Sequence, residues 1–86
     1  MERILIIEDD ADIAEIEKDY LSLSGYSVDI ANDGNGGLYA ALHGKYDLIL
    51  LDLMPPGQDG LEICRRIRDK TKIPILMVTA KITDLD

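Results

Sequence analysis

The sequence predicts an α/β domain in which helices cover both faces of a parallel sheet. Four short apolar segments alternate with three segments of helical periodicity, in the order βαβαβαβ. Each connection is long enough for a crossover, and βαβ crossovers are nearly always right-handed. Acidic residues directly follow the first and third apolar segments. This pattern predicts one open sheet with its polar residues at the carboxyl ends of the strands.

The first strand and helix are predicted from a change of period. Residues 3–7 (RILII) form a β-branched apolar run, typical of a buried strand. Asp10 is suited to cap the following helix and Gly25 to end it. From Ala11 onward, apolar residues recur in steps of three and four, which predicts one apolar helix face. That face comprises Ile13, Ile16, Tyr20 and Leu23.

The second strand and helix carry weaker signals. Residues 27–31 (SVDIA) alternate between apolar and polar, as expected for a strand at an edge of the sheet. Residues 32–37 (NDGNGG) have turn chemistry and lead into a short helix. The apolar residues of that helix are Leu38, Ala41 and Leu42, and His43 is expected at its exposed end.

The last two strands enclose the most amphipathic helix. Residues 47–51 (DLILL) predict a third strand, and residues 73–78 (IPILMV) a fourth, with its proline near the beginning. Asp59 and Glu62 resemble a capping box ahead of the third helix, and Glu62 is spaced to pair with Arg66. The apolar face of this helix comprises Leu61, Ile63, Cys64 and Ile67.

Length, charge and cysteine content limit the possible functions. With 86 residues and a net charge of −8, the chain is one small acidic domain, which argues against binding nucleic acid or anionic lipid. No apolar run is long enough to span a membrane, and the start does not resemble a signal peptide. The single cysteine, Cys64, excludes an intramolecular disulfide and suits a reducing cytoplasm. The single histidine, His43, excludes a histidine metal cluster.

Several polar residues are expected to meet at one edge of the sheet. Glu8 and Asp9 follow the first strand, Asp52 follows the third and Thr79 follows the fourth. Crowded carboxylates repel one another unless a cation compensates their charge, and Mg²⁺ prefers such oxygen ligands. Taken singly, Glu8 or Asp9 could be a helix cap and Thr79 a turn residue. Their convergence favours a magnesium site.

The motifs that carry these residues resemble the receiver domain of two-component response regulators. The matching segments are ILIIEDD, DLILLDLMPPGQDGLEICRRIR and IPILMVTA, and with the intervening helices they extend over essentially the whole chain. The resemblance implies a flavodoxin-like sheet, here with strand order 2-1-3-4. It also implies a signalling module that is not itself an enzyme.

The resemblance implies a role for each matched residue. Asp52 is the expected phosphoacceptor, taking a phosphoryl group from a phosphohistidine of a sensor histidine kinase. Asp9, Asp52 and the main-chain carbonyl of Met54 are expected to hold Mg²⁺, with Glu8 reaching the ion through water. The remaining expected site residues are Thr79, as a hydrogen-bond donor to a phosphoryl oxygen, and Ala80, whose small side chain leaves access.

Two departures from the family pattern affect these expectations. Pro55 stands where the family usually has an apolar residue, and it restricts the backbone at Met54. The matched pattern also stops after the fourth strand, so residues 1–86 are expected to be the N-terminal part of a single receiver domain without an effector domain. The family's phosphate-contacting lysine lies beyond this part, so phosphotransfer is expected to be weak.

Two alternatives to an active receiver module remain. Uncovered apolar surface on the first strand and an open fourth strand predict a half-domain, natural or engineered, that forms a homo-oligomer or domain-swapped dimer without phosphotransfer. A hydrolase of the phosphoaspartate type would require a second aspartate two residues after the nucleophile. Position 54 is methionine, which argues against that class.

Overall fold

Strands and helices alternate along the described part of the chain, as the sequence predicts. The computed structural model describes residues 2–52 and 58–78. Its elements are β1 (Arg3–Glu8), α1 (Ala11–Leu23), β2 (Ser27–Ala31), α2 (Gly34–His43), β3 (Leu48–Asp52), α3 (Gln58–Lys70) and β4 (Ile75–Met77). None of these helices is long and apolar enough to cross a membrane.

The four strands form one parallel sheet in the order β2-β1-β3-β4. This confirms the predicted strand order and the edge position of β2. The central strand β1 pairs with β2 on one side and with β3 on the other. The strands therefore end together at one edge of the sheet.

The strand β1 is buried on both faces, which corrects the expectation that one of its sides is uncovered. Ile4 and Ile6 pack with Ala14 of α1 and Val28 of β2, and they are only 3% and 0% exposed. The opposite face of the sheet packs against α2 and α3. The buried residues of that second core are Leu5, Ile7, Ala41, Ile49, Leu51, Ile63, Cys64 and Ile67.

The strand β4 is more exposed than its apolar sequence predicts. Leu76 is 54% exposed and Met77 is 41% exposed, whereas Ile75 packs against the core. In the described part of the chain β4 therefore lies at an open edge of the sheet, as expected, and two of its three side chains are not covered. Its only strand partner there is β3.

Both ends of α1 have the predicted caps. The Asp10 carboxylate accepts hydrogen bonds from the backbone N–H groups of Asp12 and Ile13, at 3.0 and 3.2 Å. At the other end, Gly25 has a φ of 99°, which is the left-handed region that favours glycine. Its N–H donates to the carbonyl of Ser22 and that of Tyr26 donates to Leu21, which together form a Schellman motif.

The apolar face predicted for α1 points toward solvent instead of the core. Ile16 is 68% exposed and Leu23 is 88% exposed. The helix packs on the sheet through Ala14 and Leu21, which lie about two turns apart on the same side. The prediction failed because Glu17 shares that inward side and breaks its apolar pattern. A small alanine also lets the helix approach the sheet closely.

The other two helices differ from prediction near their starts and at two apolar positions, since Leu42 of α2 is 37% exposed and Leu61 of α3 is 56% exposed. Asp33 caps α2 by accepting a hydrogen bond from the N–H of Gly36 at 2.6 Å, so the helix includes much of the predicted turn. In α3 the Glu62 carboxylate pairs with Arg66 at 3.0 Å, as predicted from their spacing. The capping box is wrong, because α3 already includes Asp59 and the Glu62 side chain reaches forward to Arg66.

Candidate functional site

The strands β1 and β3 deliver two acids to the same edge of the sheet. Glu8 is the last residue of β1 and Asp52 the last of β3, and the two are paired in the strand register. The side-chain amide of Asn32 donates to the carbonyl of Glu8 at 3.3 Å, which ties the end of β2 to the same place. The N–H of Val78 donates to the carbonyl of Leu51 at 2.9 Å and so aligns the end of β4.

The Glu8 side chain is buried without full compensation of its polar atoms. It is 0% exposed, although it carries a carboxyl group. Its Oε2 accepts a hydrogen bond from the N–H of Asp10 at 3.0 Å. Its Oε1 is buried and has no hydrogen-bond partner among the described residues. An orphaned buried carboxyl oxygen costs free energy unless a proton or a cation satisfies it.

The helix α1 adds a third acid, which the sequence pattern did not indicate. Glu17 lies on the inward side of α1, and one carboxylate oxygen each of Glu8, Glu17 and Asp52 lie within 4.8 Å of one another. The Oε1 of Glu17 is also buried without a hydrogen-bond partner in the described residues. Glu17 follows Ala14 by three residues and precedes Leu21 by four, so helical spacing puts all three on one side of α1. That spacing is the sequence feature from which its place in the site could have been predicted.

Burial, together with the neighbouring Asp52, shifts the proton affinities of Glu8 and Glu17. Burial, followed by the neighbouring Asp52 and Glu17, raises the pKa of Glu8 from 4.5 to about 8, and a hydrogen bond from the Asp10 N–H opposes part of this shift. Burial, and then the charge of Asp52, also raises the pKa of Glu17. Glu8 therefore retains its proton near neutral pH when no cation balances the site.

This trio of carboxyl groups fits a hard divalent cation. Such ions take oxygen ligands, and a cation would satisfy the two orphaned oxygens and remove the repulsion between the acids. Asp9 follows β1 with an exposed side chain, and the trio does not include it. Met54, Thr79 and Ala80, to which the sequence analysis also assigns roles, lie outside the described residues, as does Pro55.

The single cysteine and the single histidine of the chain play no part in this site. Cys64 lies on the buried side of α3, in the core, as predicted. His43 is exposed at the end of α2, where its Nδ1 lies 2.9 Å from the carbonyl oxygen of Tyr39 and its ring stacks on the Tyr39 ring. Both positions agree with the structural roles that the sequence indicated.

Comparison with known proteins identifies close relatives of the whole chain. It is 50% identical over 86 residues to the response regulator ArlR of Staphylococcus epidermidis, matching 100% of this chain and 39% of that protein. It is 47% identical over 79 residues to the transcriptional regulatory protein ResD of Bacillus subtilis, matching 92% of this chain and 33% of that protein. The chain thus spans about two fifths or less of these relatives.

Solved structures show the same architecture. The response regulator TrrA of Thermotoga maritima, solved in complex with Mg²⁺-BeF, superposes with a TM-score of 0.85 at 39% identity, over 99% of this chain and 77% of that one. TrrA in complex with the histidine kinase ThkA superposes with a TM-score of 0.82 at 41% identity, over 93% of this chain and 70% of that one.

A family model agrees with the resemblance that the motifs indicated. The model for the response regulator receiver domain matches residues 4–86, which leaves only the first three residues of the chain unmatched. The four-stranded parallel sheet in the order 2-1-3-4 and the acidic edge between β1 and β3 suit that match. The chain belongs to the family of response regulator receiver domains of two-component systems.

Proposed function

We propose that this chain is the phosphoryl-accepting module of a response regulator, with Asp52 as the acceptor and Mg²⁺ as the required cation. One observation carries the proposal. Glu8, whose buried Oε1 has no hydrogen-bond partner among the described residues, lies in a cluster with the Asp52 carboxylate at the carboxyl ends of adjacent strands. This arrangement is unfavourable alone and becomes favourable when a divalent cation is held there.

The proposed reaction is a phosphoryl transfer between two protein side chains. An Asp52 carboxylate oxygen attacks the phosphorus of a phosphohistidine, the P–N bond breaks, and its electron pair stays with the imidazole nitrogen, which takes up a proton. The product is an acyl phosphate on Asp52. The end of β3 holds the Asp52 backbone in the ladder with β1, so the acceptor is positioned before the donor arrives.

The proposal assigns the remaining site residues as the family resemblance implies. Asp9, Asp52 and the Met54 carbonyl would hold Mg²⁺, with Glu8 contributing through water. When bound, the cation offsets negative charge on the incoming phosphoryl group. Thr79 would donate a hydrogen bond to a phosphoryl oxygen, and the small Ala80 would leave room for it.

A sensor histidine kinase is the proposed source of the phosphoryl group. The structurally similar TrrA has been solved bound to the histidine kinase ThkA, which supports this class of partner. We also propose a cytoplasmic location, because the single cysteine suits a reducing compartment. The acidic charge of the chain argues against direct binding to nucleic acid.

Intact-mass spectrometry tests the proposed acceptor directly. The chain is incubated with acetyl phosphate and MgCl₂, beside an Asp52→Asn variant and a sample containing EDTA. We expect one added phosphoryl group on the unmodified protein and none in either control. A folded protein that gains no phosphoryl group, or an Asp52→Asn variant that gains one equally well, would overturn the proposal.

Self-association without phosphotransfer is a second candidate, favoured by the exposed apolar side chains on β4. Leu76 and Met77 are both exposed, and in the described residues β4 pairs with β3 alone. A strand edge with apolar side chains can pair with a second copy. Light scattering coupled to size exclusion tests this: a dimer that Met77→Lys converts to a monomer supports it, and a wild-type monomer at high concentration rejects it.

A further inference from the structure

We propose that Glu17 is a third carboxylate of the cation site and increases its affinity for a divalent cation. The inference rests on the proposed function, because it adds a residue to the site that would hold Mg²⁺ beside Asp52. Glu17 comes from α1, whereas Glu8 and Asp52 come from the sheet. The helix would therefore take part in binding the cation as well as in packing.

The first support is the side of α1 on which Glu17 lies. Ala14 and Leu21, three residues before and four residues after it, both pack against the sheet. By contrast Glu15, on the same helix, is exposed. The helix thus directs the Glu17 carboxyl group into the space above the ends of β1 and β3 while its other acids face solvent.

The second support is that the cluster contains uncompensated buried oxygens on two different side chains. Glu8 is 0% exposed, and its Oε1 has no hydrogen-bond partner among the described residues. The same holds for the Oε1 of Glu17, although the rest of that side chain is only partly buried. One oxygen from each of the two and one from Asp52 lie within 4.8 Å of one another, close enough to share a single ion directly or through water.

The third support is energetic. Two carboxyl groups that each have a buried, unsatisfied oxygen, beside a third carboxyl group, are a net cost to folding, since burial and like charges both disfavour ionisation. An alanine or leucine at position 17 would pack on the sheet without this cost. A cation bound by the trio would offset the cost, and an added carboxylate near the ion increases the electrostatic contribution to binding.

Calorimetric titration with MgCl₂ at physiological ionic strength measures the predicted effect. We expect Glu17→Gln, which keeps the shape and removes the charge, to weaken cation binding by roughly tenfold. The matched control is Glu15→Gln, which makes the same change of net charge at an exposed position of the same helix. It should leave the dissociation constant within about twofold of the wild-type value. Equal affinities of the two variants would overturn the inference.

Thermal denaturation distinguishes a role of Glu17 in the cation site from a purely structural role, because the two roles change the melting temperature in EDTA in opposite directions. If Glu17 serves the cation site, Glu17→Gln raises the melting temperature of the EDTA-treated protein and reduces the increase caused by Mg²⁺. A lower melting temperature in EDTA, with an unchanged Mg²⁺ effect, would show that Glu17 instead stabilises the fold as a protonated acid. A second variant, Glu17→Ala, should change both quantities in the same directions as Glu17→Gln.

The two proposals fail in different ways. If wild-type protein binds Mg²⁺ and gains a phosphoryl group on Asp52, but Glu17→Gln binds the ion as tightly, only the role of Glu17 is rejected. If Mg²⁺ binding depends on Glu17 but Asp52 accepts no phosphoryl group, only the proposed phosphotransfer is rejected. A wild-type protein that binds no Mg²⁺ rejects both.

Discussion

Glu8 and Asp52 are register partners at the last paired position of β1 and β3. Distant in sequence, they become neighbours because the two strands are parallel and adjacent. Glu8 is buried there and its pKa is raised by burial and by Asp52. The fold thus stores unfavourable electrostatic energy at the point where a cation would relieve it.

The stability of the cation-free protein should decrease from mildly acidic to mildly alkaline pH. The pKa of Glu8 is raised from 4.5 to about 8, so the unfolded chain releases this proton first as the pH rises through that window. Within this window the folded state holds a proton that the unfolded chain has released. Rising pH therefore favours the unfolded chain, and the free energy of unfolding falls. Urea denaturation in EDTA across this range measures the effect, and Glu17, whose pKa is also raised, contributes in the same direction.

The variant Glu8→Gln should flatten this pH dependence, because glutamine has no proton to release. Glu15→Gln, at an exposed position of α1, should keep the wild-type slope. A Glu8→Gln variant whose stability falls as steeply as that of the wild type would show that other groups cause the pH dependence.

The variant Gly37→Ala should destabilise the fold through a steric clash with β1. A β-carbon at position 37 would lie 2.5 Å from Cδ1 of Ile7, whose side chain is fully buried. We expect a loss of about 1–3 kcal/mol of unfolding free energy, measured by urea denaturation. Asn35→Ala, on the exposed side of α2, should change stability much less. Equal stability of the two variants would mean that Ile7 repacks at no cost.

Tyr46 and Asp29 should be energetically coupled across the sheet. The Tyr46 hydroxyl donates to Oδ2 of Asp29 at 2.7 Å, and Arg3 donates to the same oxygen at 2.9 Å. The hydrogen bond from Tyr46, with a smaller contribution from Arg3, lowers the pKa of Asp29. The Arg3 guanidinium also lies 4.7 Å above the Tyr46 ring.

A double-mutant cycle of Tyr46→Phe and Asp29→Ala measures this coupling. We expect about 0.5–1 kcal/mol, limited by solvent because the Asp29 side chain is 51% exposed. Because the pKa of Asp29 is lowered by folding, the coupling should disappear as the pH falls through that pKa. Tyr39→Phe, which removes an exposed hydroxyl, serves as the control, and additive effects of the two test substitutions would exclude the coupling.

Substitutions on α1 should distinguish its actual orientation from the one that its apolar pattern indicates. Ile16→Ser should change the unfolding free energy by less than about 0.5 kcal/mol, because Ile16 is 68% exposed. Ala14→Leu should lower the unfolding free energy by about 1–3 kcal/mol, because Ala14 is 0% exposed on the side of α1 that faces the sheet. Urea denaturation of both variants checks this, and a large loss for Ile16→Ser would contradict the orientation.

The sequence alone determined the order of the elements, the parallel sheet and the meeting of Glu8 with Asp52. The elements follow from local signals, since β-branched runs, helical periods and caps such as Asp10 each depend on a few neighbouring residues. The handedness of crossover connections then restricts how the strands can be arranged. The acids at the strand ends were equally visible, because an ionisable residue at the end of an apolar run stands out.

Only the tertiary structure decided which side of α1 faces the sheet, how exposed β4 is, and that Glu17 joins the site. On α1 the apolar residues of the exposed side outnumber Ala14 and Leu21 on the buried side, so the period by itself selects the wrong face. The exposed set is Ile13, Ile16, Tyr20 and Leu23. The helix is oriented by the close fit of Ala14 against Ile4 and Ile6, which depends on shape and not on hydrophobicity. That same rotation turns Glu17 toward Glu8 and Asp52, a contact between elements that no local pattern contains.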